Sequence, residues 1–253
     1  MTKLTFLGTG TSQGVPMIGC GCDVCRSSDP RDKRLRASVL VEHEGLTILV
    51  DAGPDFRQQM LRADVSHVDA ILLTHNHKDH TGGLDDIRAF NYHEKKASQI
   101  YCEKYVEDAL RMEYSYAFAE KKYPGAPEWD VHIIDEKPFS INGVEIIPIR
   151  GMHYKLPVLG YRFGKIAYCT DMNHIPEEEF AKLQGLDHFV INCVKYGKHI
   201  SHYSLEEAVA VAQRVGAKHS WLTHLSHRLP CYETLAAKLP AGILPAYDGM
   251  VLE

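Results

Sequence analysis

The composition of this chain limits the partners that it can serve. The chain has 253 residues, of which 45% are hydrophobic, and its 28 Lys and Arg against 33 Asp and Glu give a formal net charge of −5. This length and apolar content suffice for a large buried core, and we predict one domain spanning residues 1–253. The small acidic excess creates no field that would attract nucleic acid or an anionic membrane, so large polyanionic partners are disfavoured. A small phosphate ester remains compatible with this charge.

The N-terminal segment Met1–Gly8 contains too few apolar side chains for the core of a signal peptide, and no apolar run reaches membrane-spanning length. We therefore expect a cytoplasmic protein in which thiols stay reduced. In that compartment the seven cysteines are expected to be metal ligands or core residues and not a disulfide framework. The sequence leaves the oligomeric state open, and a homodimer is compatible with it.

Short apolar runs rich in β-branched residues predict strands, and helical periodicity lies between and after them. The predicted strands are Leu4–Leu7, Ser38–Val41, Leu46–Asp51, Ala70–Thr74, Val144–Arg150, Gly160–Phe163, Ile166–Cys169, Phe189–Cys193 and Ser220–Leu222. The predicted helices are Phe56–Ala63, Glu103–Glu120, Glu177–Leu183, Leu205–Val215 and Tyr232–Leu239. Ser204 and Glu207 fit a capping box, which places one helix start just after His202. The pattern predicts a layered α/β fold with two mixed sheets and helices outside them.

One stretch directly behind a predicted strand has the composition of a metal site. It carries three imidazoles and a carboxylate within six positions, namely His75, His77, Asp79 and His80. In extended chain His75 and His77 point to one side, and we expect Asp79 and His80 to follow on a polar turn. Such nitrogen and oxygen donors suit zinc, manganese or iron, and a cluster this dense favours two adjacent ions. A polar loop that is merely rich in histidine would have no reason to place ligands at this spacing.

Three later positions carry further ligand types at strand ends or just beyond them. His153 follows the Val144–Arg150 run, while Asp171 and His224 follow two other predicted strands. Taken singly, a loop histidine is usually a surface residue and Asp171 would be a turn or helix cap. Because the chain already holds the His75–His80 cluster, we predict all three as metal ligands.

These motifs resemble the metallo-β-lactamase fold superfamily, whose His-x-His-x-Asp-His signature is matched from His75 to His80. Within that superfamily the chain is similar to PhnP-like phosphodiesterases, which open a phosphoribosyl cyclic phosphate. The stretches that support this similarity are Gly8-Thr9-Gly10, Gln13-Gly14-Val15-Pro16, Gly19–Cys25, Leu222–His227 and Asp248-Gly249-Met250. The resemblance covers nearly the whole chain and implies an αββα sandwich, with two mixed sheets and helices on both outer faces.

The resemblance also implies how the ligands divide between two ions. One ion would be held by His75, His77, His153 and Asp171, and the other by Asp79, His80, Asp171 and His224. Asp171 would bridge them, since a carboxylate has two oxygens and can span ions roughly 3.5–4 Å apart. The expected cofactors are two divalent cations, manganese, zinc or iron.

A second metal site is predicted near the N-terminus. Cys20, Cys22 and Cys25 form Cys-x-Cys-x-x-Cys in a glycine-rich loop, and three reduced thiols this close indicate tetrahedral zinc. The resemblance supplies His227 as the fourth ligand, which would give one structural zinc. A redox cluster is the alternative, although redox pairs normally use Cys-x-x-Cys alone.

The predicted activity is metal-dependent hydrolysis of a small phosphodiester, either a cyclic phosphate or a nucleotide diester, by hydroxide bridging two ions. We predict His202, Asp79 and Asp171 as catalytic, with His202 assisting the leaving group, although His202 could merely pack near a helix start. The alternatives are a transfer-RNA 3′-processing endonuclease, a thioester hydrolase of the glyoxalase II type, and a non-catalytic metal-stabilised binding protein. A large RNA is disfavoured by the acidic surface.

Overall fold

The protein is a sandwich of two seven-stranded sheets with helices on both outer faces, as a computed structural model describes it for residues 2–253. The first sheet contains, in spatial order, β14 (Val251–Leu252), β1 (Thr2–Gly8), β2 (Ser38–His43), β3 (Leu46–Val50), β4 (Ala70–Leu72), β5 (Ser98–Cys102) and β6 (Trp129–Ile133). The strands from β14 to β3 pair antiparallel, and those from β3 to β6 pair parallel.

The second sheet has the same mixed construction. In spatial order it contains β13 (Ile243–Pro245), β12 (His219–Thr223), β11 (His188–Asn192), β10 (Ile166–Cys169), β9 (Leu156–Phe163), β8 (Val144–His153) and β7 (Phe139–Ile141). The strands from β13 to β10 pair parallel, and those from β10 to β7 pair antiparallel. The predicted αββα fold class with two mixed sheets is confirmed.

Seven α-helices accompany the sheets in the described part of the chain. They are α1 (Asp23–Arg26), α2 (Phe56–Arg62), α3 (Lys78–Thr81), α4 (Arg88–Glu94), α5 (Lys104–Glu113), α6 (Leu205–Val215) and α7 (Tyr232–Ala236). The predicted capping box of α6 is confirmed, because the Ser204 hydroxyl accepts from the Glu207 N–H while the Glu207 carboxylate accepts from the Ser204 N–H. Within residues 2–253 the structure contains no helix long and apolar enough to cross a bilayer.

Successive side chains of a strand point to opposite faces of its sheet, and this alternation separates the core between the sheets from the outer helical layers. Leu4 and Phe6 of β1 point into the space between the sheets, where they join Tyr161 and Tyr168 of the second sheet. Leu7 points the other way, onto the outer layer that contains α2, α4 and α5. Each large apolar side chain buried in this way contributes roughly 1.5–3 kcal/mol to stability. The opposite face of the second sheet packs on α6.

Several predicted elements differ from the structure. The predicted helix Glu103–Glu120 ends at Glu113, because Tyr114 leaves the helical conformation and its buried hydroxyl donates to the Thr81 carbonyl at 2.9 Å. The predicted helix Glu177–Leu183 is a 3-10 helix. The polar turn expected for Asp79 and His80 is the short helix α3. Five strands escaped prediction, and all are short or mixed in polarity: β5, β6, β7, β13 and β14.

Candidate metal centre

The candidate site lies where the carboxyl ends of parallel strands from both sheets meet. Ligands bind at such edges because the chain must turn there, away from the regular hydrogen-bond ladder. His75 and His77 follow β4, and Asp79 and His80 lie on α3. The loop after β3 packs against α3, and a Cβ on Gly53 would lie only 2.0 Å from the Asp79 carbonyl oxygen. Glycine is therefore required at position 53 for the cluster to approach.

The second sheet supplies its ligands from three separate elements. His153 is the last residue of β8, Asp171 follows β10 and His224 follows β12. Asp171 and His224 are both buried, at 1% relative exposure. Since β10 and β12 lie on either side of β11 in a parallel run, their carboxyl ends bring these two residues to the same place.

The predicted ligands converge in three overlapping groups whose ligand atoms lie within 4.8 Å of one another. The groups are His75 with His77 and His153; Asp79 with His80, Asp171 and His224; and His153 with Asp171 and His202. Asp171 is at the centre, because its Oδ2 lies 3.0 Å from His80 Nε2 and its Oδ1 lies 3.2 Å from His224 Nε2. Asp171 is thus grouped with ligands of both sheets, but not with His75 and His77 within this distance.

Backbone strain is concentrated at this edge. Asp51, Asp171, His224 and Tyr154 adopt left-handed conformations, with φ of 63°, 56°, 55° and 58°. A non-glycine residue in this region costs of order 1–3 kcal/mol and persists where the surrounding structure enforces it. The turns after β3, β8, β10 and β12 therefore hold their side chains in place through an imposed backbone geometry.

Groups behind the ligands fix which ring nitrogen faces the site. Asp51 Oδ2 accepts from His80 Nδ1 at 2.7 Å, and Asp51 also accepts from the N–H and hydroxyl of Thr74 at 2.8 Å each. His75 Nδ1 lies 2.9 Å from the Thr74 hydroxyl, and His153 Nδ1 lies 2.8 Å from the Ser201 carbonyl oxygen. Such contacts leave Nε2 free for a cation and raise its basicity.

Asp51 is the functional residue that sequence reasoning missed. It is fully buried and follows β3, which runs parallel to β4. The signal was present in the sequence, because Asp51 closes an apolar strand immediately before the strand that leads into the histidine cluster. Two adjacent parallel strands that both end in ligand-type residues indicate one shared site.

The buried nitrogens show that the arrangement fits a cation. The Nε2 atoms of His75, His80 and His224 are buried and make no hydrogen bond of acceptable geometry within the described chain. Leaving such an atom unpaired costs about 1–3 kcal/mol, and a divalent ion would pair all three. Together with Asp79 and Asp171, these nitrogens form a donor set for a borderline divalent metal.

The electrostatics of the site favour the metal-binding form at three candidate ligands. Burial lowers the pKa of His75 well below its usual value, and burial also lowers the pKa of His153, so both rings are neutral. Burial alone would raise the pKa of Asp171, but the His224 and His80 rings outweigh it and hold that pKa well below its usual range. Asp171 is therefore a carboxylate. Although burial alone would lower the pKa of His80, the surrounding carboxylates raise it well above its usual value, so a cation at its Nε2 would displace a proton.

His202 lies against the ligands. Its Nδ1 is 3.5 Å from Asp171 Oδ1, and its ring centroid is 4.6 Å from that of His153 and 4.8 Å from that of His224. Burial lowers the pKa of His202 to about 3, so the ring is neutral near pH 7. The predicted helix start places it there, two residues before Ser204.

The cysteine cluster also assembles with its predicted partner. The ligand atoms of Cys20, Cys22, Cys25 and His227 lie within 4.8 Å of one another, with His227 Nδ1 3.2 Å from Cys20 Sγ and 3.5 Å from Cys22 Sγ. A hydrogen bond from the Cys25 backbone and another from His227 lower the pKa of Cys22 to about 6, whereas burial raises the pKa of Cys25 to about 11. The Leu225 N–H donates to the Thr9 carbonyl at 2.8 Å and so joins this region to the His224 turn.

Comparison with known proteins agrees with this geometry. The model of the family described as Beta-lactamase superfamily domain matches residues 47–225, which include all seven candidate active-site ligands. The chain belongs to the metallo-β-lactamase superfamily. A crystal structure described as a new diphosphatase from the PhnP family shares 39% identity, superposes with a TM-score of 0.93, and is matched over 96% of its chain and 99% of this one. The predicted PhnP-like resemblance is confirmed.

Two further relatives differ in what they support. Zn²⁺-bound PqqB from Methylobacterium extorquens superposes with a TM-score of 0.81 over 99% of both chains, but its 18% identity shows the fold alone. An octanoyltransferase from Porphyromonas gingivalis is 42% identical over 251 residues, which are 98% of this chain and 51% of that protein. The chain spans about half the length of the curated relatives it matches first. The family match and the PhnP-family structure together support a metal-dependent hydrolase of the metallo-β-lactamase fold.

Proposed function

We propose that this protein hydrolyses a small phosphodiester or diphosphate at a dinuclear metal centre. The observation that carries the proposal is the central position of Asp171, whose carboxylate lies within 4.8 Å of ligand atoms from both candidate sets, His80 and His224 in one and His153 in the other. The PhnP-family diphosphatase, 39% identical over nearly the whole chain, supports phosphate chemistry for the same scaffold.

The ligands fall into two sets that share Asp171. His75, His77 and His153 would hold one ion, and Asp79, His80 and His224 would hold the other, with the carboxylate of Asp171 between them. When bound, two divalent ions lower the pKa of a coordinated water molecule and take up negative charge on phosphoryl oxygens. Asp51 and Thr74 would keep the rings oriented, since they hold His80 and His75 by Nδ1.

We assign proton transfer to His202. Its ring is neutral before the reaction, because burial lowers its pKa to about 3. It would accept a proton from the attacking water and return that proton to the leaving oxygen as the phosphorus–oxygen bond breaks, so protons balance over the cycle. The carboxylate of Asp171, 3.5 Å away, would stabilise the ring while it carries the proton.

The cysteine cluster would hold a structural zinc in this proposal. Three sulfurs and one imidazole complete a closed tetrahedral set with no open position for a substrate. Its role would be to fix the N-terminal loop beside the His224 turn.

A second candidate is hydrolysis of an acyl thioester. It is favoured by the name of the Porphyromonas gingivalis relative, an octanoyltransferase, of which this chain matches 51%. The two candidates require different electrophiles, a phosphorus centre or a carbonyl carbon, so substrates separate them.

The test compares bis(p-nitrophenyl) phosphate with an octanoyl thioester of N-acetylcysteamine, each with added Mn²⁺ or Zn²⁺. We expect the diester to be hydrolysed, activity to be lost on chelation, and activity to return with the metal. His75→Ala should abolish turnover, while His93→Ala, at an exposed histidine of α4, should leave it unchanged. Hydrolysis of the thioester alone would overturn the proposal, and cleavage of a precursor transfer RNA in preference to the diester would point to the endonuclease alternative.

A further inference from the structure

A groove of about 500 Å³ opens directly beside the metal centre. The groove is lined by two candidate ligands, three apolar side chains and two polar ones, namely His77, His153, Tyr154, Leu156, Ile200, Lys155 and Ser201. The Lys155 ammonium lies 5.4 Å from the centroid of the Tyr154 ring, on one of its faces. Pockets that hold small ligands have volumes of about 300–1,000 Å³ and combine apolar walls with a few polar groups. The groove therefore has the size and the position to receive the organic part of a molecule whose phosphate lies on the metal ligands.

The apolar sides of the groove are unusually open to solvent. Tyr154 is 51% exposed and Ile200 is 66% exposed, although both are large hydrophobic side chains. Adjacent exposed apolar groups at the mouth of a site indicate contact with a ligand more than with water.

Tyr154 is also held in a conformation that a tyrosine rarely adopts. Tyr154 and Lys155 form the two-residue turn between His153 and Leu156, which pair across the β8–β9 hairpin. Tyr154 has a φ of 58°, a region that glycine occupies freely and that is strained for a residue with a Cβ atom. A tyrosine at a turn position suited to glycine indicates that its ring serves a purpose other than folding.

The Asn173 side chain links the backbones of both walls of the groove, beside the contact of His153 with the Ser201 carbonyl. The Asn173 Oδ1 accepts from the Tyr154 N–H at 2.8 Å, and its Nδ2 donates to the Ile200 carbonyl at 3.2 Å. Asn173 lies two residues beyond Asp171, so the same turn that presents the central carboxylate also sets the width of the groove. The groove is therefore preformed, which lowers the entropic cost of binding.

We propose that this groove binds a flat aromatic ring carried by the phosphate substrate, with Tyr154 as the stacking residue and Leu156 and Ile200 as its apolar supports. The inference rests on the proposed function and adds the substrate class to it: an ester of an aromatic alcohol or of a nucleoside. Stacking against tyrosine is sequence-tolerant for nucleobases and equally available to a phenyl ring, so the shared chemistry is the ring itself.

The experiment measures binding separately from turnover. Isothermal titration calorimetry of the Mn²⁺-loaded protein compares phenyl phosphate, adenosine 5′-monophosphate and methyl phosphate, which differ in the ring that accompanies the phosphate. We expect phenyl phosphate to bind about fivefold more tightly than methyl phosphate, as for one aromatic contact. The preference should persist in Tyr154→Phe, which keeps the ring, and should vanish in Tyr154→Ala. Tyr123→Ala, at a 79% exposed tyrosine outside the groove, is the matched control.

Each outcome bears on one of the two proposals. The proposed aromatic-ring site would be contradicted if the native protein bound phenyl and methyl phosphate equally, or if the preference for phenyl phosphate survived in Tyr154→Ala. Either result would stand even if diesters are hydrolysed. A preference that depends on Tyr154 without any diester hydrolysis would keep the ring site and remove the proposed phosphodiesterase activity. Tighter binding of adenosine 5′-monophosphate than of phenyl phosphate would identify a nucleoside as the source of the ring, and the reverse order would identify an aryl ester.

Discussion

The two sheets contribute to the metal centre in different ways. The first sheet supplies four candidate ligands from six consecutive positions, with His75 and His77 after β4 and Asp79 and His80 on α3. The second sheet supplies three candidate ligands, His153, Asp171 and His224, from strand ends that are 18 and 53 residues apart along the chain. Two of those three have left-handed backbones. One half of the site is thus local in sequence, whereas the residues of the other half are brought together only by the arrangement of the strands in the sheet.

This contrast predicts that mutations will disrupt the geometry of the two halves in different ways. A local cluster keeps its relative geometry as long as its own turn forms, whereas the second half depends on the alignment of β8, β10 and β12. Asp171 belongs to the second half and yet lies 3.0 Å from His80 of the first, so it is one of the points where the two halves meet.

The largest effect is expected for Asp171→Ala. Loss of a group behind a metal ligand already costs 10–100-fold, and loss of the shared ligand should lower kcat/KM by more than about 100-fold and reduce the bound metal. Metal analysis and turnover of bis(p-nitrophenyl) phosphate check this, with Asp130→Ala in β6 as a control. A variant that keeps two ions and full activity would show that Asp171 does not join the halves.

A large effect on turnover alone is expected for His202→Ala. General acid–base assistance typically contributes about 10²–10⁴-fold, so kcat should fall by about 100-fold while the bound metal stays unchanged. His199→Ala, whose ring centroid lies 5.0 Å from that of His202, is the matched control. Parallel loss of metal would make His202 a ligand, and unaltered turnover would remove it from the reaction.

A moderate effect is expected for Asp51→Asn, which tests whether Asp51 orients the histidine ligands of the first half. The amide keeps the shape but loses the charge that orients His80 through its Nδ1. Metal affinity should fall by about tenfold, measured by competition with a chelator, and Asp135→Asn at an exposed position should not change it. Unchanged affinity in Asp51→Asn would mean that Thr74 and the backbone suffice to orient the rings.

The smallest effect on catalysis is expected for Cys25→Ser. This change should remove the zinc of the N-terminal cluster and lower Tm by several degrees, at about 2–4 °C per kcal/mol for a chain of this size, while most of the turnover per loaded protein remains. Cys231→Ser is the control, because Cys231 lies outside the four-ligand group. Retention of zinc would contradict the proposed ligand set.

The sequence was most informative where the residues that form a motif are contiguous in the chain. The αββα fold, the His75–His80 cluster and the capping box of α6 all have local signatures, and the structure contains each of them. Asp51 has no motif of its own, since its role depends on β3 lying beside β4. The groove beside His153 was equally hidden, because Tyr154 and Ile200 are distant in sequence and are brought together by contacts of Asn173 and of His153 with Ser201.

The left-handed residues at the strand ends have a consequence for directed evolution. At the half-exposed Tyr154, glycine would relieve backbone strain of about 1 kcal/mol, yet it would delete the proposed stacking ring. At the buried Asp51, glycine would instead leave the donors of Thr74 and His80 without an acceptor. A library selected only for survival at high temperature should therefore accumulate glycine at position 154 and lose the proposed ring binding as it gains stability. Screens for more thermostable variants of this protein need to select for turnover at the same time as for stability.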